Sequence, residues 1–331
     1  MDPLRIGCLG AARIAPAALI KPCASPGSGV VCAAVAARDP TRARAFATKH
    51  GIPTVHDSYE ALLADDSLDA IYNPLPNGLH GLWTINALGA GKHVLCEKPF
   101  TANAEEAARV SEVAEASGLV VMEAFHWRYH PLAARLLEII ASGELGTIRH
   151  IEAALCFPLP RFKDIRWDLN LAGGSLMDAG CYPVHMVRTL AGAEPTVTGA
   201  RAKLHSPGVD RFMQADFSFA EGRTGRITTS MWSTHLLELR AKVVGSDATM
   251  KVFNPTNPHM YNRVTIKGRH NRHERVAGGP TYEYQLAAFR AAVQDGSPTL
   301  TPPSESIRNM ATIDGIYRAA GLEPRRGATD G

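Results

Sequence analysis

The chain of 331 residues lacks the features that mark several specialised classes of protein. Its 35 basic and 32 acidic side chains leave a net charge of only +3, without a basic stripe. We therefore expect no nucleic-acid partner. No apolar run reaches about eighteen residues and no segment has a signal-peptide layout, so we expect no membrane span and a cytoplasmic protein. No Cys/His cluster has the spacing of metal ligands, so we expect no metal site.

Cysteine is also sparse and is not arranged for cross-linking. The six cysteines form neither C-x-x-C pairs nor a disulfide framework. Cys8, Cys32 and Cys96 fall in apolar runs, which favours buried, reduced thiols. The composition, 45% hydrophobic and 20% charged, is that of a globular protein. Since a chain of this length exceeds what one core usually organises, we expect two domains.

The first part of the chain alternates short apolar runs with helical patterns. Asp39-Pro40 is a cap followed by proline at the first helical position, and Thr101 is the expected cap of a later helix. Strands that alternate with helices predict a doubly wound parallel sheet. The strand candidates are residues 4–9, 30–35, 68–72, 93–96 and 119–122.

From about residue 150 the hydrophobic period changes to two. Leu237, Leu239, Ala241 and Val243 alternate with polar residues, as in an antiparallel sheet with one solvated face. We predict an α/β protein with a dinucleotide-binding domain over 1–125 and an α+β domain over 126–322. The second domain contains a largely antiparallel open sheet. Residues 323–331, rich in Gly, Arg and Pro, are expected to be a frayed tail.

A glycine turn follows the first predicted strand. Residues 10–15 occupy the place of the G-x-G-x-x-G fingerprint, with alanine at its second and third positions. The turn precedes a helix, as a dinucleotide-binding loop requires. The alternative is an ordinary strand-to-helix turn. The predicted cofactor contacts here are Gly10, Ala12, Arg13 and Ile14.

The end of the second strand indicates which cofactor is bound. The strand ends Ala36-Ala37-Arg38, where an NAD-binding chain would have Asp or Glu. A small residue followed by a guanidinium leaves room for a 2′-phosphate and can bind it, so Ala37 and Arg38 favour NADP(H) over NAD(H). The alternative is that Arg38 is an ordinary surface charge.

A second group of candidates has acid–base character. Glu97-Lys98-Pro99 follows the apolar run 93–96, at the strand edge where open α/β sheets bind ligands. Asp178 and Tyr182 lie further along, one helical turn apart. Together with the glycine turn they indicate hydride transfer with a nicotinamide cofactor. The alternatives are a solvated Glu–Lys pair and a tyrosine that packs in the core.

These motifs resemble those of the Gfo/Idh/MocA oxidoreductases over nearly the whole chain. The resemblance rests on the Gly10 turn, residues 72–77 with His80, residues 97–99 and residues 173–183. It implies hydride exchange at a sugar or polyol carbon, and a homodimer or homotetramer joined by the open sheet. Tyr182 stands where many members have histidine. That substitution is similar to the glucose-fructose oxidoreductase, dihydrodiol dehydrogenase and NADP-dependent xylose dehydrogenase branch.

The resemblance, with the chemistry of the side chains, assigns roles to single residues. Tyr182 is the expected proton donor or acceptor, Lys98 lowers its pKa and holds the substrate oxygen, and Asp178 orients the lysine or binds a hydroxyl. Trp127 and Arg128 are added as substrate contacts, although core packing is an equal alternative for Trp127. The remaining expected cofactor contacts are Pro74, Pro76, Asn77, His80, Glu97, Lys98, Arg166 and Trp167.

The sequence thus predicts an NADP(H)-dependent oxidoreductase that acts on a sugar, a sugar derivative or a cyclic diol. Two alternatives stay open. One is an epimerase or hydrolase whose cofactor never leaves, and the other is a non-catalytic sensor that binds NADP(H). Fold alone does not decide between them. His126 and His130 are interpreted as hinge residues between the domains.

Overall fold

Six short, buried strands form the first sheet of the computed structural model, which describes residues 2–161 and 163–328. All neighbouring strands in it are parallel, in the order β3-β2-β1-β4-β5-β6. The predicted doubly wound sheet is confirmed. Only β3, with three half-buried residues, lacked a sequence signal. The strands are β1 (Leu4–Leu9), β2 (Val30–Ala36), β3 (Thr54–His56), β4 (Ala70–Asn73), β5 (His93–Cys96) and β6 (Val121–Glu123).

The helices that cover this sheet begin largely where their caps predict. The Asp39 carboxylate accepts from the N–H groups of Thr41 and Arg42 at the start of α2. The expected Thr101 cap is wrong, because Asn103 caps α5 and the Thr101 hydroxyl donates to the Asn103 carbonyl. The helices are α1 (Lys21–Ala24), which continues a π-helical turn at Pro16–Ile20, α2 (Pro40–His50), α3 (Tyr59–Leu63), α4 (His80–Gly89) and α5 (Ala104–Ser117).

The second sheet has eight strands and two free edges, in the order β14-β13-β12-β11-β7-β10-β9-β8. Only β7 and β10 pair in parallel, so the predicted, largely antiparallel open sheet is confirmed. Its strands are β7 (Ile148–Cys156), β8 (Thr196–Ser206), β9 (Val209–Ser218), β10 (Thr224–Ser230), β11 (Glu238–Gly245), β12 (Ala248–Phe253), β13 (Arg263–Gly268) and β14 (Arg272–Glu274).

The two faces of this sheet differ in polarity. Ala241 and Val243 of β11 are buried in the core that α7 shares. On the alternate positions, Arg240 and Lys242 both donate to the Glu152 carboxylate, at 2.8 and 3.3 Å. One face is therefore packed with helices and the other carries charged side chains. The helices of this part are α6 (Pro131–Ala141), α7 (Cys181–Ala191), α8 (Thr281–Asp295) and α9 (Pro303–Ala319).

The last two helices pack back onto the first sheet. Leu286 and Phe289 of α8 enter the same core as Ile6 and Leu19, and α9 packs against α5. The change from one sheet to the other falls between Glu123 and Ile148. The polypeptide that follows residue 280 thus contributes to both halves of the molecule.

The fully buried carboxylate of Asp210 joins the end of the chain to this framework. It accepts from the hydroxyl of Ser175 and the N–H of Leu176, at 2.7 and 2.8 Å, and from the hydroxyl of Tyr317 at 3.1 Å. Arg325 donates to it at 2.9 Å and to the Gly173 carbonyl at 2.8 Å. The segment 173–176, which leads into α7, is therefore held from several directions.

The prediction of a frayed tail is wrong for residues 323–328. Arg325 is 3% exposed, and its guanidinium lies 4.1 Å from the centre of the Tyr317 ring. The N–H of Ala328 donates to Gly78, at 2.7 Å. The Gly/Arg/Pro composition does not predict that this segment is ordered. Arg325 is buried because it pairs with the Asp210 carboxylate, which lies 115 residues away in the sequence. Residues 329–331 of the predicted tail lie outside the described residues.

The structure bears on three expectations from composition: free cysteines, membrane spans and metal sites. Each of the six cysteines is free, and Cys8, Cys96, Cys156 and Cys181 are buried. Within residues 2–161 and 163–328, no helix is long and apolar enough to cross a bilayer. In the same part of the chain, no group of three or more His, Cys, Asp or Glu side chains is placed to hold a metal ion.

A buried acid, Glu123, closes β6 next to the Lys98–Phe100 loop. It is 1% exposed, and its Oε1 accepts from the N–H of Phe100 at 2.9 Å. Its Oε2 has no hydrogen-bond partner among the described residues. Burial raises the pKa of Glu123 to about 8, and the nearby Ser306 hydroxyl opposes the shift. The carboxyl group is therefore protonated at neutral pH.

We expect Arg325→Met to lower the free energy of unfolding by about 3–5 kcal/mol, because it leaves the buried Asp210 charge without its partner. Chemical denaturation with urea measures the change. The matched control is Arg326→Met, since Arg326 is the exposed neighbour; there we expect a change within about 0.5 kcal/mol. Equal stability of the two variants would contradict the role given to Arg325.

We expect Glu123 to make stability fall as pH rises between its ordinary pKa of 4.5 and its folded pKa of about 8. Over that window the folded chain keeps a proton that the unfolded chain releases. Glu123→Gln removes this dependence, so the variant gains roughly 2–4 kcal/mol relative to the parent between pH 5 and pH 9. Melting temperatures across that range measure it, with the exposed Glu112→Gln as control. Parallel curves for parent and Glu123→Gln would rule the interpretation out.

Candidate active site

Three loops of the first sheet meet at the carboxyl ends of its central strands. They follow β1, β4 and β5, and they carry Gly10, Pro74 and Lys98 respectively. The strand order reverses between β1 and β4, which is where open α/β sheets bind ligands. Segment 172–182 of the second part of the chain lies against this edge, since Asn77 bonds to Ala172 and Lys98 bonds to Asp178. These loops and this segment form the candidate site.

The glycine turn has the backbone that the fingerprint needs at its first position. Gly10 has φ of +88°, and a Cβ there would lie 3.2 Å from Leu75. Its N–H donates to the Ala36 carbonyl at 2.6 Å, which ties the turn to β2. Ala12 is half-buried, whereas Arg13 and Ile14 are exposed. A side chain other than hydrogen would be strained at residue 10.

The end of β2 combines a buried small residue with an exposed guanidinium. Ala37 is 6% exposed and Arg38 is exposed. Tyr59 lies beside both loops: its hydroxyl is 3.8 Å from a Cβ built on Gly10, and burial raises its pKa while the nearby Arg38 opposes the shift. The Trp83 ring meets Tyr59 edge to face at 4.8 Å. These two aromatic residues had no signal in the sequence.

The loop after β4 is braced by His80. One ring nitrogen lies 2.7 Å from the Leu75 carbonyl oxygen and the other lies 2.7 Å from that of Pro99. His80 is 1% exposed, and burial lowers its pKa to about 4. Both ring nitrogens face backbone carbonyls, which oppose the lowering of the pKa by burial, and the ring links the two loops. The direct cofactor contact expected of His80 stays a prediction.

The rest of that loop faces the second part of the chain. Pro74 is buried and Pro76 is half-buried. The Asn77 amide donates to the Ala172 carbonyl at 3.3 Å. Asn77 therefore makes an inter-sheet contact, and the prolines form the wall of the site between them.

Glu97 and Lys98 have separate partners and do not form a solvated pair. Glu97 is 7% exposed, and the Tyr72 hydroxyl donates to its Oε1 at 2.8 Å. Burial raises the pKa of Glu97, and Lys98 and Tyr72 oppose that shift. The Lys98 ammonium donates to the Asp178 backbone carbonyl at 3.2 Å and lies 5.2 Å from the centre of the Tyr182 ring. The structure thus brings Lys98, Asp178 and Tyr182 together.

The Asp178 carboxyl group is held in a poorly hydrated position. Arg166 Nε lies 3.4 Å from Oδ1, and Oδ2 has no hydrogen-bond partner within the described part of the chain. Burial raises the pKa of Asp178 to about 6, while Lys98 and Arg166 oppose the shift. Asp178 therefore orients Lys98 through its backbone oxygen and leaves a carboxylate oxygen available.

The Tyr182 hydroxyl is buried, and its partner is a histidine. It lies 2.9 Å from His126 Nε2, and the residue is 6% exposed. Burial raises the pKa of Tyr182 well above its usual value of 10, and Tyr282 and Glu97 add to the rise. The expected lowering by Lys98 is wrong for this structure, because the ammonium lies against the ring face and is bonded to a carbonyl. At neutral pH the phenol is protonated.

A chain of charges connects the glycine turn to Asp178. Arg13 lies 3.3 Å from one oxygen of Asp164, and Arg166 lies 3.2 Å from the other. The Asp164 side chain is 1% exposed, whereas that of Arg13 is 71% exposed. Arg166 continues the chain to Asp178. Asp164, which the sequence did not single out, thus links the two halves of the site.

The side chains of Trp167 and of its neighbour Arg166 lie in different surroundings. The Trp167 indole packs with Val209 and Met231 and stacks on His205, with the ring centres 4.5 Å apart. Its Nε1 donates to the Arg161 carbonyl at 3.0 Å. Arg166 faces Asp178, and Trp167 faces a different cluster.

Trp127 and Arg128 also lie elsewhere than the sequence predicts. Trp127 is 2% exposed, belongs to the main core and donates to His185 Nδ1 at 3.2 Å. This is the core-packing alternative. Arg128 lines a cavity of about 420 Å³ that Arg188 and Glu305 share. Neither is placed beside the Lys98 ammonium, because the turn His126–Tyr129 directs them to its other sides.

The arrangement contains a proton donor, a cation and a free carboxylate oxygen at one sheet edge. Such a set can protonate a carbonyl oxygen, hold it electrostatically and bind a neighbouring hydroxyl. His126 is the functional neighbour that sequence reasoning missed. It had been interpreted as a hinge, and its partner Tyr182 is 56 residues away.

Comparison with known proteins identifies the family of the chain. Residues 4–125 match the model of an oxidoreductase family with an NAD-binding Rossmann fold, and residues 133–251 match the C-terminal domain model of the same family. The NADP(+)-dependent D-xylose 1-dehydrogenase 2 of Haloferax volcanii is 40% identical over 96% of this chain and 97% of its own. A trans-1,2-dihydrobenzene-1,2-diol dehydrogenase of Macaca fuscata fuscata is 33% identical over 87% and 88%.

A solved structure shows the same relationship. KijD10, a 3-ketoreductase from Actinomadura kijaniata, in complex with NADP and TDP-benzene, superposes with a TM-score of 0.90. Its identity is 30%, over 96% of this chain and 98% of that one. The resemblance deduced from the motifs is confirmed: the chain belongs to the GFO/IDH/MocA oxidoreductase family.

Proposed function

We propose that this chain is an NADP(H)-dependent oxidoreductase that transfers hydride to or from the carbonyl or carbinol carbon of a sugar, a sugar derivative or a cyclic diol. The observation that carries the proposal is the convergence of Lys98, Asp178 and Tyr182 at the ligand-binding edge of the sheet. Relatives named for D-xylose and for a dihydrodiol, with matches over most of the chain, support the substrate class.

The residues at the carboxyl ends of the strands of the first sheet fit a phosphorylated dinucleotide. Gly10, with φ of +88°, has the left-handed backbone that the tight turn of a pyrophosphate-binding loop needs at its first glycine. The exposed Arg38, next to Tyr59, would hold the 2′-phosphate. Arg13 and Arg166 provide positive charge between the two halves of the site. When bound, the cofactor supplies or accepts the hydride.

Tyr182 is the proton donor in the direction of reduction. Its raised pKa keeps the phenol protonated at neutral pH, so a proton is available for the carbonyl oxygen. The Lys98 ammonium lies over the Tyr182 ring and holds the carbonyl oxygen of the substrate as negative charge develops on that oxygen. In the direction of oxidation, Tyr182 must first lose its proton before it can accept one from the substrate hydroxyl.

Asp178 orients the substrate by accepting a hydrogen bond from one of its hydroxyl groups. Its unpartnered Oδ2 can accept from a hydroxyl next to the reacting carbon, which sugars and cyclic diols both provide. This requirement for two adjacent oxygens separates polyol substrates from simple alcohols. A carboxyl pKa of about 6 means that the ionised, accepting form prevails at neutral pH.

Copies of this chain are expected to pair through the open face of the second sheet, as a homodimer or homotetramer. The helices pack on its other face. The open face carries Glu152, Arg240 and Lys242, and at its end the exposed rings of Phe253 and Tyr261 lie 5.9 Å apart. Charged residues with aromatic neighbours suit a specific interface. The six free thiols fit a reducing compartment, so a cytoplasmic location is part of the proposal.

We expect Tyr182→Phe and Lys98→Met each to lower kcat by about two or more orders of magnitude, as is usual for acid–base residues. A screen of aldoses, ketosugars and cyclic diols, followed by nicotinamide absorbance, identifies the substrate and then measures both variants. Lys49→Met is the control, because Lys49 is exposed in the last turn of α2. Near-normal turnover in both variants would refute the assignment.

We expect Arg38→Ala to raise KM for NADP(H) by about 10- to 100-fold and to leave KM for NAD(H) unchanged, since one charge-assisted contact with the 2′-phosphate is lost. Steady-state kinetics with both cofactors measure this. Arg44→Ala, which removes an exposed guanidinium beside Asp57, is the control. A preference for NAD(H) that survives Arg38→Ala would overturn the proposed cofactor.

A further inference from the structure

The His126 ring lies within hydrogen-bond distance of the Tyr182 hydroxyl. It lies at the crossing from the first sheet to the second part of the chain and is 2% exposed. Its Nε2 is 2.9 Å from the Tyr182 oxygen, and its Nδ1 is 2.8 Å from the Thr281 hydroxyl at the start of α8. The ring also packs on Tyr282, with centres 4.3 Å apart. Both nitrogens are therefore engaged by neutral hydroxyl groups.

The imidazole carries one proton under physiological conditions. Burial lowers the pKa of His126 to about 3, and Lys98 and His259 lower it further. The hydrogen bonds to two hydroxyl groups do not favour the imidazolium. A neutral ring has an N–H on one nitrogen only, and which one it is decides how Tyr182 is bonded. The titratable groups that act on this pair from the surrounding elements are Glu97, Lys98, Glu123, Cys181, His259 and Tyr282.

The two tautomers have opposite consequences for catalysis. If Nδ1 carries the proton, Nε2 accepts the Tyr182 O–H, and the acid's proton is directed away from the substrate. If Nε2 carries it, the ring donates to the tyrosine oxygen and the hydroxyl proton is free to be donated to a substrate oxygen. The Thr281 hydroxyl can then donate to Nδ1, because a hydroxyl both donates and accepts.

We propose that His126 is a positioning residue for Tyr182, held by Thr281 in the tautomer that donates from Nε2 to the tyrosine oxygen. The inference rests on the proposed oxidoreductase function and deepens it. In reduction, the carbonyl carbon gains a hydride as the C=O π bond breaks, and the oxygen takes the proton from Tyr182. The tyrosine O–H bond breaks, His126 keeps its proton, and its Nε2–H hydrogen bond stabilises the phenolate until solvent returns a proton.

The kinetic test compares two amides at residue 126. The His126→Gln side chain places its amide where Nε2 lies and can still donate to Tyr182, whereas that of His126→Asn is too short to reach it. We expect His126→Asn to lower kcat at least about tenfold. The pH at which kcat rises in the oxidation direction should move up by about one to two units, because the phenolate loses a donor. His126→Gln should stay near the parent in both respects.

The control is His130→Asn. His130 lies in the same turn, is also buried, and its Nδ1 accepts from the N–H of Leu132, a role that asparagine can fill. We expect parental kcat and an unshifted pH profile. If His126 were merely structural, His126→Asn would lower the melting temperature and leave the pH profile unchanged. That result, or equal profiles for His126→Asn and His126→Gln, overturns the inference.

A second measurement needs no turnover. In the cofactor-free chain labelled with ¹⁵N-histidine, the long-range ¹H–¹⁵N spectrum distinguishes the two neutral tautomers, and His126→Gln assigns the signal. We expect the Nε2–H form, with Thr281→Val shifting the population towards Nδ1–H. An Nδ1–H ring in the parent overturns the inference. A parent chain that turns over none of the substrates screened refutes the proposed function instead, and the spectrum then decides the hydrogen-bond assignment by itself.

Discussion

The candidate site depends on one buried carboxylate, that of Asp210. A charge with no exposed surface is stable only when every acceptor position is used, and Asp210 accepts from Ser175, Leu176, Tyr317 and Arg325. Two of these donors belong to the segment that turns into α7. Since this segment carries the Asp178 carbonyl that Lys98 bonds, and α7 carries Tyr182, the geometry of the candidate site depends on a contact outside it.

Burial has opposite effects on neighbouring groups of the site. It raises the pKa of Tyr182, Asp178 and Glu123 and lowers that of His126 and His80, because each environment disfavours the charged form. Tyr182, Glu123 and His126 are thus held in their neutral forms at neutral pH, whereas Asp178 is ionised. A substrate oxygen at this edge would therefore experience the positive charge of Lys98, with the Asp178 carboxylate nearby, in a region of low polarity.

The sequence alone predicts those features of the fold and of the candidate site that depend on residues close together along the chain. Strand-helix alternation gave the first sheet, a period of two gave the second, and Asp39 capped its helix as its type predicts. Lys98 and Tyr182 were found because each belongs to a recognisable motif. Arg325 was misjudged and His126 was read only as a hinge, because the partners that define them are 115 and 56 residues away. Pairings at such distances leave no periodicity to detect.

The dependence of Asp210 on Arg325 also has a consequence for synthesis. A ribosome releases the chain from its amino end, so the first sheet can form while the segment that completes the second is still being translated. Until residue 325 has emerged from the exit tunnel, Asp210 is a buried charge without its guanidinium, and the α7 segment has no fixed anchor. Since α8 and α9 also pack against the first sheet, neither half of the candidate site is complete until the segment from residue 281 to residue 325 has been translated.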